Sequence, residues 1–140
     1  MKRSEAQWQK MLEPEQYAVL RKGQTEAPFS GVFLYNDIDG TYVCAACKKE
    51  LFASEHKFDA LCGWPSFNNV INSKSVSLKE DLSHGLRRVE VLCKNCDSHL
   101  GHVFNDAVDQ PTGMRFCINS LSLDFIPEGQ PNKSNKEGKK

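Results

Sequence analysis

Two C-x-x-C pairs limit what this chain can fold into more than any other feature of its sequence. Cys44 and Cys47 form the first pair, and Cys93 and Cys96 form the second. Two residues between the thiols let both sulfur atoms of a pair turn toward one point, so that two pairs supply the tetrahedral ligand set of zinc. Each pair also follows the predicted end of a strand, as a zinc knuckle does. The sequence therefore predicts a closed four-cysteine site whose zinc stabilises the fold and takes no part in catalysis.

Two other uses of these cysteines are open to the sequence. A local set of Cys93, Cys96, His99 and His102 could bind a metal, but it leaves the first pair without a partner and makes a very tight loop. A single C-x-x-C is also typical of thioredoxin-type redox motifs, which need a strand-to-helix context that this pattern lacks. We therefore favour the site formed by both pairs.

The composition indicates one domain without a charged macromolecular partner. The 140 residues suffice for one hydrophobic core. Lysine plus arginine and aspartate plus glutamate both total 18, so the net charge is zero and nothing draws the chain to nucleic acid or to an anionic membrane. The chain lacks a long apolar run and its first residues lack the apolar stretch of a signal peptide, which predicts a cytoplasmic protein. In that reducing compartment six cysteines indicate metal binding or catalysis rather than disulfides.

The N-terminal part of the chain carries two helix signals. Ser4 and Gln7 have the spacing of a capping box, which starts a first helix. Pro14 suits the first turn of a second helix, and Gly23 should end it. We expect both helices to act as a brace that packs four apolar residues on a sheet, namely Trp8, Met11, Tyr17 and Leu20.

From residue 31 onward, short apolar or alternating runs predict strands. These runs are 31–35, 41–44, 70–78, 86–93, 100–104 and 114–126. Short strands separated by loops favour an antiparallel sheet or roll over βαβ units, so the predicted fold class is mainly β. The domain should span residues 1–126, because 127–140 is rich in Pro, Gly, Asn and Lys and should form a disordered tail.

The run 114–126 places a cysteine beside a cation. As one strand, it puts Arg115, Cys117 and Asn119 on the same face, which is polar at its start and apolar further on. A neighbouring cation favours the thiolate, which is the reactive form of cysteine. The alternative is a buried Cys117 that acts as a small hydrophobe, with Arg115 merely solvated.

Cys62 is the second cysteine that remains once the four metal ligands are set aside. It is followed by Gly-Trp-Pro, which puts Trp64 on a turn and favours its exposure, although a buried core tryptophan is the competing interpretation. His99 and His102 follow the second cysteine pair. Each alone could be a structural hydrogen-bonding residue, but beside a candidate nucleophile they also suit proton transfer.

Three motifs, in this order, resemble those of the B-type methionine sulfoxide reductases. They are Cys-Gly-Trp-Pro-Ser-Phe at 62–67, Leu-Gly-His-Val-Phe-Asn-Asp at 100–106 and Arg-Phe-Cys-Ile-Asn-Ser at 115–120. The two C-x-x-C pairs match the zinc-binding branch of that family, and the likeness runs from about residue 4 to residue 126. It implies two antiparallel sheets rolled together with N-terminal helices. It also implies a repair enzyme that reduces the R epimer of methionine sulfoxide, with thioredoxin as reductant. We expect the chain to be a monomer.

The resemblance also implies a role for each site residue. Cys117 would attack the sulfoxide sulfur, and Cys62 would recycle the oxidised Cys117 through a disulfide. Trp64 would hold the methyl group of the substrate against its ring. Polar residues would orient the nucleophile or bind the sulfoxide oxygen, directly or through water; these are Arg115, Asp106, His99, His102 and Asn119.

A different class of function is a non-enzymatic zinc-ribbon module that binds protein or nucleic acid. The cysteine pairs allow it, but zero net charge and the absence of a basic stripe speak against nucleic acid. It also gives Cys62, Cys117 and Trp64 no role. A binding module should tolerate Cys117→Ser, whereas a reductase should not.

Overall fold

The computed structural model describes residues 3–129, and both predicted helices are confirmed. Helix α1 spans Glu5–Met11 and helix α2 spans Pro14–Lys22. The Gln7 amide donates to Ser4 Oγ at 3.2 Å, and the Ser4 amide donates to Gln7 Oε1 at 2.8 Å, which completes the capping box. Gly23 ends α2 in the left-handed conformation, with a φ of 73°.

The two helices brace the sheets through a small set of buried side chains. Trp8 and Leu20 are each 1% exposed, and Arg21 donates to the Cys96 carbonyl at 2.7 Å, which attaches α2 to the second cysteine pair. Met11 does not belong to this brace, because its side chain faces outward and is 50% exposed. Among residues 3–129, no helix is long and apolar enough to cross a membrane.

Two antiparallel sheets make up the rest of the fold, which confirms the mainly β class. One sheet has the strand order β2-β1-β9, and the other has the order β3-β4-β8-β7-β6-β5. The strands are β1 (Gly40–Cys44), β2 (Glu50–Ala53), β3 (Lys57–Phe58), β4 (Ser66–Phe67), β5 (Val76–Asp81), β6 (Arg88–Cys93), β7 (His99–Phe104), β8 (Arg115–Ile118) and β9 (Leu123–Pro127). Aromatic side chains fill the space between the sheets; Phe52 of β2 stacks on Phe67 of β4 with ring centroids 4.4 Å apart.

Two of the predicted strands were wrong in place or extent. Residues 31–35 form turns instead of a strand, and their amides do not enter a ladder; the Phe33 amide donates to Ser120 Oγ at 3.2 Å. The predicted strand 70–78 begins only at Val76, because the Asn72 side chain accepts from the Lys74 amide and holds the preceding residues in a turn. The short strands β2, β3 and β4 were missed, since runs of two to four residues carry little periodicity.

The run 114–126 is two strands in different sheets, not one strand. A 3-10 turn at Ser120–Ser122 separates β8 from β9. The predicted common face therefore ends at Ile118, and the residues of β9 pack in the small sheet. Strand β9 ends at Pro127, and the Glu128 amide donates to the Asp39 carbonyl at 2.9 Å. Most of the predicted tail, from residue 130 to residue 140, lies outside the described residues.

Candidate active site

Pairing of β4 with β8 brings the two remaining cysteines together. Ser66 lies opposite Cys117 in this ladder, and Cys62 lies on the bend that leads into β4. The Sγ atoms of Cys62 and Cys117 are 3.0 Å apart, and Ser66 Oγ lies 3.3 Å from Cys62 Sγ. Cys117 is 9% exposed, whereas Cys62 is less buried. Cys62 is therefore the more accessible of the two thiols.

Arg115 contacts the Cys117 thiol and is itself held in place. Its Nη1 donates to Cys117 Sγ at 2.7 Å. Its Nε and Nη2 donate to the two carboxylate oxygens of Asp106, both at 2.9 Å, and its guanidinium lies 4.3 Å from the centre of the Phe104 ring. This two-point ion pair and the cation–π contact fix the cation against the sulfur atom. The alternative of a merely solvated Arg115 does not fit these contacts.

The two adjacent thiols titrate as a pair. Contact with Cys117 lowers the pKa of the Cys62 thiol to about 5, against the opposing effect of burial. Contact with Cys62, together with burial, raises the pKa of Cys117, and the Arg115 guanidinium opposes this rise. The pair therefore loses one proton readily and holds the second tightly. The Arg115 guanidinium lies beside this pair and favours the charged form of either thiol.

His102 lies opposite Cys117 across the β7–β8 ladder. Its Nε2 is 2.8 Å from Asp81 Oδ2, and Arg88 Nη2 is 3.4 Å from the same oxygen. Hydrogen bonds from Ser83 and His102 lower the pKa of Asp81, so its carboxylate stays charged at neutral pH. His102 is thus oriented and polarised by a fixed anion, as a proton-transferring histidine requires.

His99 is buried behind His102 and does not line the site directly. The two imidazole rings have centroids 5.6 Å apart, and His99 Nδ1 lies 2.7 Å from Glu90 Oε2. Burial lowers the pKa of His99, and the hydrogen bond to Glu90 opposes this lowering. The other ring nitrogen, Nε2, is buried and has no hydrogen-bond partner among residues 3–129.

A cavity of about 250 Å³ opens beside Cys117. Five of its lining residues are ones that the sequence picked out, namely Trp64, His102, Arg115, Cys117 and Asn119. The others are Thr25, Arg88, Gly101 and Phe104. Trp64 lies on a bend and is only partly buried, so its ring forms a wall of the cavity rather than part of the core. The cavity therefore joins an aromatic wall, a thiol and hydrogen-bonding groups in one small space.

Gly101 makes this arrangement possible at the β7–β8 pair. A side-chain carbon at this position would collide with the backbone carbonyl oxygen of Cys117. A glycine is therefore required where the backbone that carries His102 passes the backbone that carries the thiol.

The four other cysteines meet in a separate, buried cluster. The Sγ atoms of Cys44 and Cys96 are 3.7 Å apart, those of Cys47 and Cys93 are 3.5 Å apart, and all four sulfur atoms lie within 4.8 Å of one another. The residues that follow the pairs, Lys48 and Asp97, both have positive φ, and each closes its knuckle by donating from its amide to a cysteine carbonyl at 2.8 Å. Four buried thiols in this arrangement could hold a metal ion.

Asp81 and Glu90 are site residues that the sequence did not single out. Asp81 is the last residue of β5, and Glu90 lies within β6; by residue type alone both look like ordinary surface carboxylates. Both contact a histidine of β7. The pairing of β6 with β5 and β7 creates these contacts, and no local sequence motif predicts them.

The SelR domain family model matches residues 12–127, which is most of the chain. The chain belongs to the SelR domain family. This membership confirms the resemblance to the B-type methionine sulfoxide reductases, and the three motifs that carried it all line or adjoin the cavity of this SelR domain.

Relatives of this SelR chain match it over nearly their whole length. Peptide methionine sulfoxide reductase MsrB of Chromohalobacter salexigens is 53% identical over 127 residues, which cover 91% of this chain and 96% of that protein. The MsrB of Methanosarcina barkeri is 53% identical over 139 residues, covering 99% and 92%. The MsrB of Acinetobacter baylyi is 47% identical over 123 residues, covering 88% of each chain.

Proposed function

We propose that this chain is a peptide methionine sulfoxide reductase that reduces the R epimer of methionine sulfoxide with thioredoxin as reductant. The observation that carries the proposal is the position of the Cys117 thiol on the cavity wall, in contact with both Arg115 and a second thiol. SelR membership and the shared name of the relatives support methionine sulfoxide reduction. A zinc-ribbon binding module would need neither the cavity nor the two thiols.

In the first step, the Cys117 thiolate attacks the sulfoxide sulfur. A bond forms between Cys117 Sγ and the substrate sulfur, and the sulfur–oxygen bond breaks as the oxygen takes up two protons and leaves as water. Water then attacks Cys117 Sγ and loses a proton, the sulfur–sulfur bond breaks with its electrons on the substrate sulfur, and the products are methionine and a Cys117 sulfenic acid. The substrate sulfur is reduced by two electrons and Cys117 is oxidised by two. Arg115 stabilises the thiolate before attack, and the Asp106 carboxylate holds Arg115 in position.

In the second step, the Cys62 thiol attacks the sulfenic acid. A disulfide between Cys62 and Cys117 forms and water leaves. The sulfur atoms already lie 3.0 Å apart, so this step needs little movement. A dithiol reductant such as thioredoxin then exchanges with the disulfide, which restores both thiols and leaves the reductant oxidised.

The remaining cavity residues bind the two sides of the sulfoxide. Trp64 holds the methyl group against its ring. His102 and Asn119 form hydrogen bonds with the oxygen, and Asp81 holds the His102 ring in place. His99 lies behind His102 and takes part through a bridging water molecule.

The four-cysteine cluster holds one structural zinc ion, according to this proposal. Four thiolates fit zinc by donor type and number, and they leave no open coordination position for substrate. The ligands are Cys44, Cys47, Cys93 and Cys96. Such a site and a reactive thiol pair suit a reducing compartment, so we place the enzyme in the cytoplasm.

Epimer-resolved turnover tests the proposal. The protein is incubated with dithiothreitol and either the R or the S sulfoxide, and methionine is measured by chromatography. Methionine should form from the R epimer alone, and the Cys117→Ser variant should form none. Equal activity of Cys117→Ser and the unaltered protein, or turnover of the S epimer alone, would contradict the proposed function.

A further inference from the structure

The segment between α2 and β1 carries a buried carboxylate with no place in the mechanism above. Glu26 is only 7% exposed, although it lies in a loop. One of its carboxylate oxygens, Oε2, has no hydrogen-bond partner among residues 3–129. Burial raises the pKa of Glu26, and hydrogen bonds from the backbone of residues 120 and 121 oppose the rise. Burying an acid in this way costs stability, which calls for a functional reason.

The backbone of Glu26 contacts two residues that line the cavity. The Trp64 indole Nε1 donates to the Glu26 carbonyl at 3.0 Å, and the Glu26 amide donates to Asn119 Oδ1 at 2.9 Å. One peptide segment therefore fixes both the aromatic wall and the amide wall. The preceding residue, Thr25, itself lines the cavity.

The contact with Asn119 also decides which group its amide presents. Asn119 Oδ1 accepts from the Glu26 amide, and Nδ2 donates one hydrogen to the Leu100 carbonyl at 3.0 Å. The amide cannot flip without losing both bonds. The second Nδ2 hydrogen is the donor left for a sulfoxide oxygen.

The Glu26 side chain ties this segment to the 3-10 turn that follows Asn119. Its Oε1 accepts from the Leu121 amide at 2.9 Å. Gly31 closes the other side: a side-chain carbon there would meet both Ser120 Oγ and Glu26 Oε2. The carboxylate is thus enclosed between its own loop and the start of the β8–β9 connection.

We propose that Glu26 is a positioning residue that holds Trp64 and Asn119 at the spacing that accepts the sulfoxide. This inference rests on the proposed function. Glu26 touches no reacting atom; its side chain anchors the loop, and the loop backbone holds the two walls. Loss of the anchor should therefore weaken substrate binding through misplacement of the walls, while the thiols of Cys62, on the bend before β4, and of Cys117, on β8, stay in contact.

The test compares Glu26→Ala with Glu26→Gln. Alanine removes the acceptor for the Leu121 amide, and KM for the R sulfoxide should rise about tenfold or more, since small displacements of binding groups are costly. Glutamine keeps an acceptor oxygen and should stay within about threefold of the unaltered protein. Val19→Ala, a change to a buried residue of α2 that does not line the cavity, controls for lost stability alone.

Tryptophan fluorescence supplies a readout independent of turnover. The chain has two tryptophans, so a Trp8→Phe background leaves Trp64 as the reporter. In that background Glu26→Ala should move the emission to longer wavelength and increase quenching by acrylamide, whereas Glu26→Gln should not. The rate of thiol alkylation at neutral pH should be the same in all of these variants.

A folded Glu26→Ala protein with unchanged KM and unchanged Trp64 emission would overturn the inference. Equal impairment of Glu26→Gln and Glu26→Ala would overturn it as well, because the anchor is a hydrogen bond. If the unaltered protein reduced neither epimer, the proposed function would fail, and Trp64 emission would still test whether Glu26 holds the wall.

Discussion

The sulfur atoms of Cys62 and Cys117 lie 3.0 Å apart, although 55 positions separate the two residues in the chain. The pairing of β4 with β8 produces this contact. Because the thiols are already adjacent, an oxidised Cys117 can be resolved without a rearrangement of the fold. The proximity also makes the two groups share their titration, so the chemistry of either thiol depends on the other.

The division of labour between the two thiols can be tested by single substitutions. Cys117→Ser should abolish methionine formation even in one turnover, because an alcohol is a far poorer nucleophile than a thiolate. Cys62→Ser should still form one equivalent of methionine per chain and retain part of its activity with dithiothreitol, but lose cycling with thioredoxin. A rapid-mix assay of methionine per enzyme distinguishes these outcomes. Full cycling of Cys62→Ser with thioredoxin would contradict the scheme.

The pH dependence of thiol alkylation should reveal the coupled pair. The thiolate is the reactive form, so alkylation should rise with pH through about 5, the lowered pKa of Cys62, and then level off. Cys117→Ser removes the contact that lowers this pKa, so the midpoint of Cys62 should move up. Cys62→Ser removes the contact that raises the pKa of Cys117, so that pKa should fall. Mass spectrometry of the alkylated peptides across a pH series measures both midpoints. Midpoints that do not change with the substitutions would contradict coupled titration.

Removal of the metal should unfold the protein. Structural zinc sites couple on the order of 10 kcal/mol of binding to folding, which equals the whole stability of many domains. Cys44→Ala should therefore give insoluble or unfolded protein. Cys62→Ala is the matched control, because that thiol lies outside the four-cysteine cluster and its loss should leave metal content and circular dichroism unchanged. A folded, active sample without zinc by elemental analysis would refute the assignment.

Substitution of Trp64 should affect substrate turnover more than stability. The ring is partly buried at the cavity, and a sulfur–aromatic contact of about 1 kcal/mol plus lost apolar contact should lower kcat/KM by roughly tenfold or more. Phe52→Ala is the contrasting control: its ring is fully buried, so it should cost about 3–5 kcal/mol of stability. Chemical denaturation and kinetics of the folded fraction measure the two effects. A large loss of stability with ordinary activity in Trp64→Ala would instead support the interpretation of Trp64 as a core residue.

The features that the sequence determined by itself depend on short spacings between residues. The capping box at Ser4 and the glycine stop at Gly23 act within one or two helical turns, so their signals are complete in the sequence. The C-x-x-C spacing likewise predicts a knuckle whatever the surrounding fold, and the four sulfur atoms do converge. Arg115 and Cys117 are two residues apart on a strand, which by itself places them on one face.

Tertiary structure decided the features that depend on which segments meet. The apolar alternation of 114–126 continues across the 3-10 turn at Ser120–Ser122, so the sequence pattern did not show that the run changes sheets there. Residues 31–35 have the composition of a strand but pair with no strand of residues 3–129, because the chain turns there to cover Glu26 and Ser120. Short strands such as β4 exist only because a neighbour supplies their hydrogen bonds.

The same distinction applies to the site. The sequence motifs identified the two thiols, Trp64 and His102, because residue type and spacing are enough to single these residues out. Asp81 and Glu26 belong to the site only because strand pairing and a loop crossing bring them there, across separations of 21 residues to His102 and 93 residues to Asn119. A carboxylate in a loop or at a strand end looks like a solvated surface group until the fold buries it. The sequence therefore indicated the type of chemistry, but only the tertiary structure identified the residues that position the reactive groups. The physical reason is that contacts between distant segments leave no local sequence pattern.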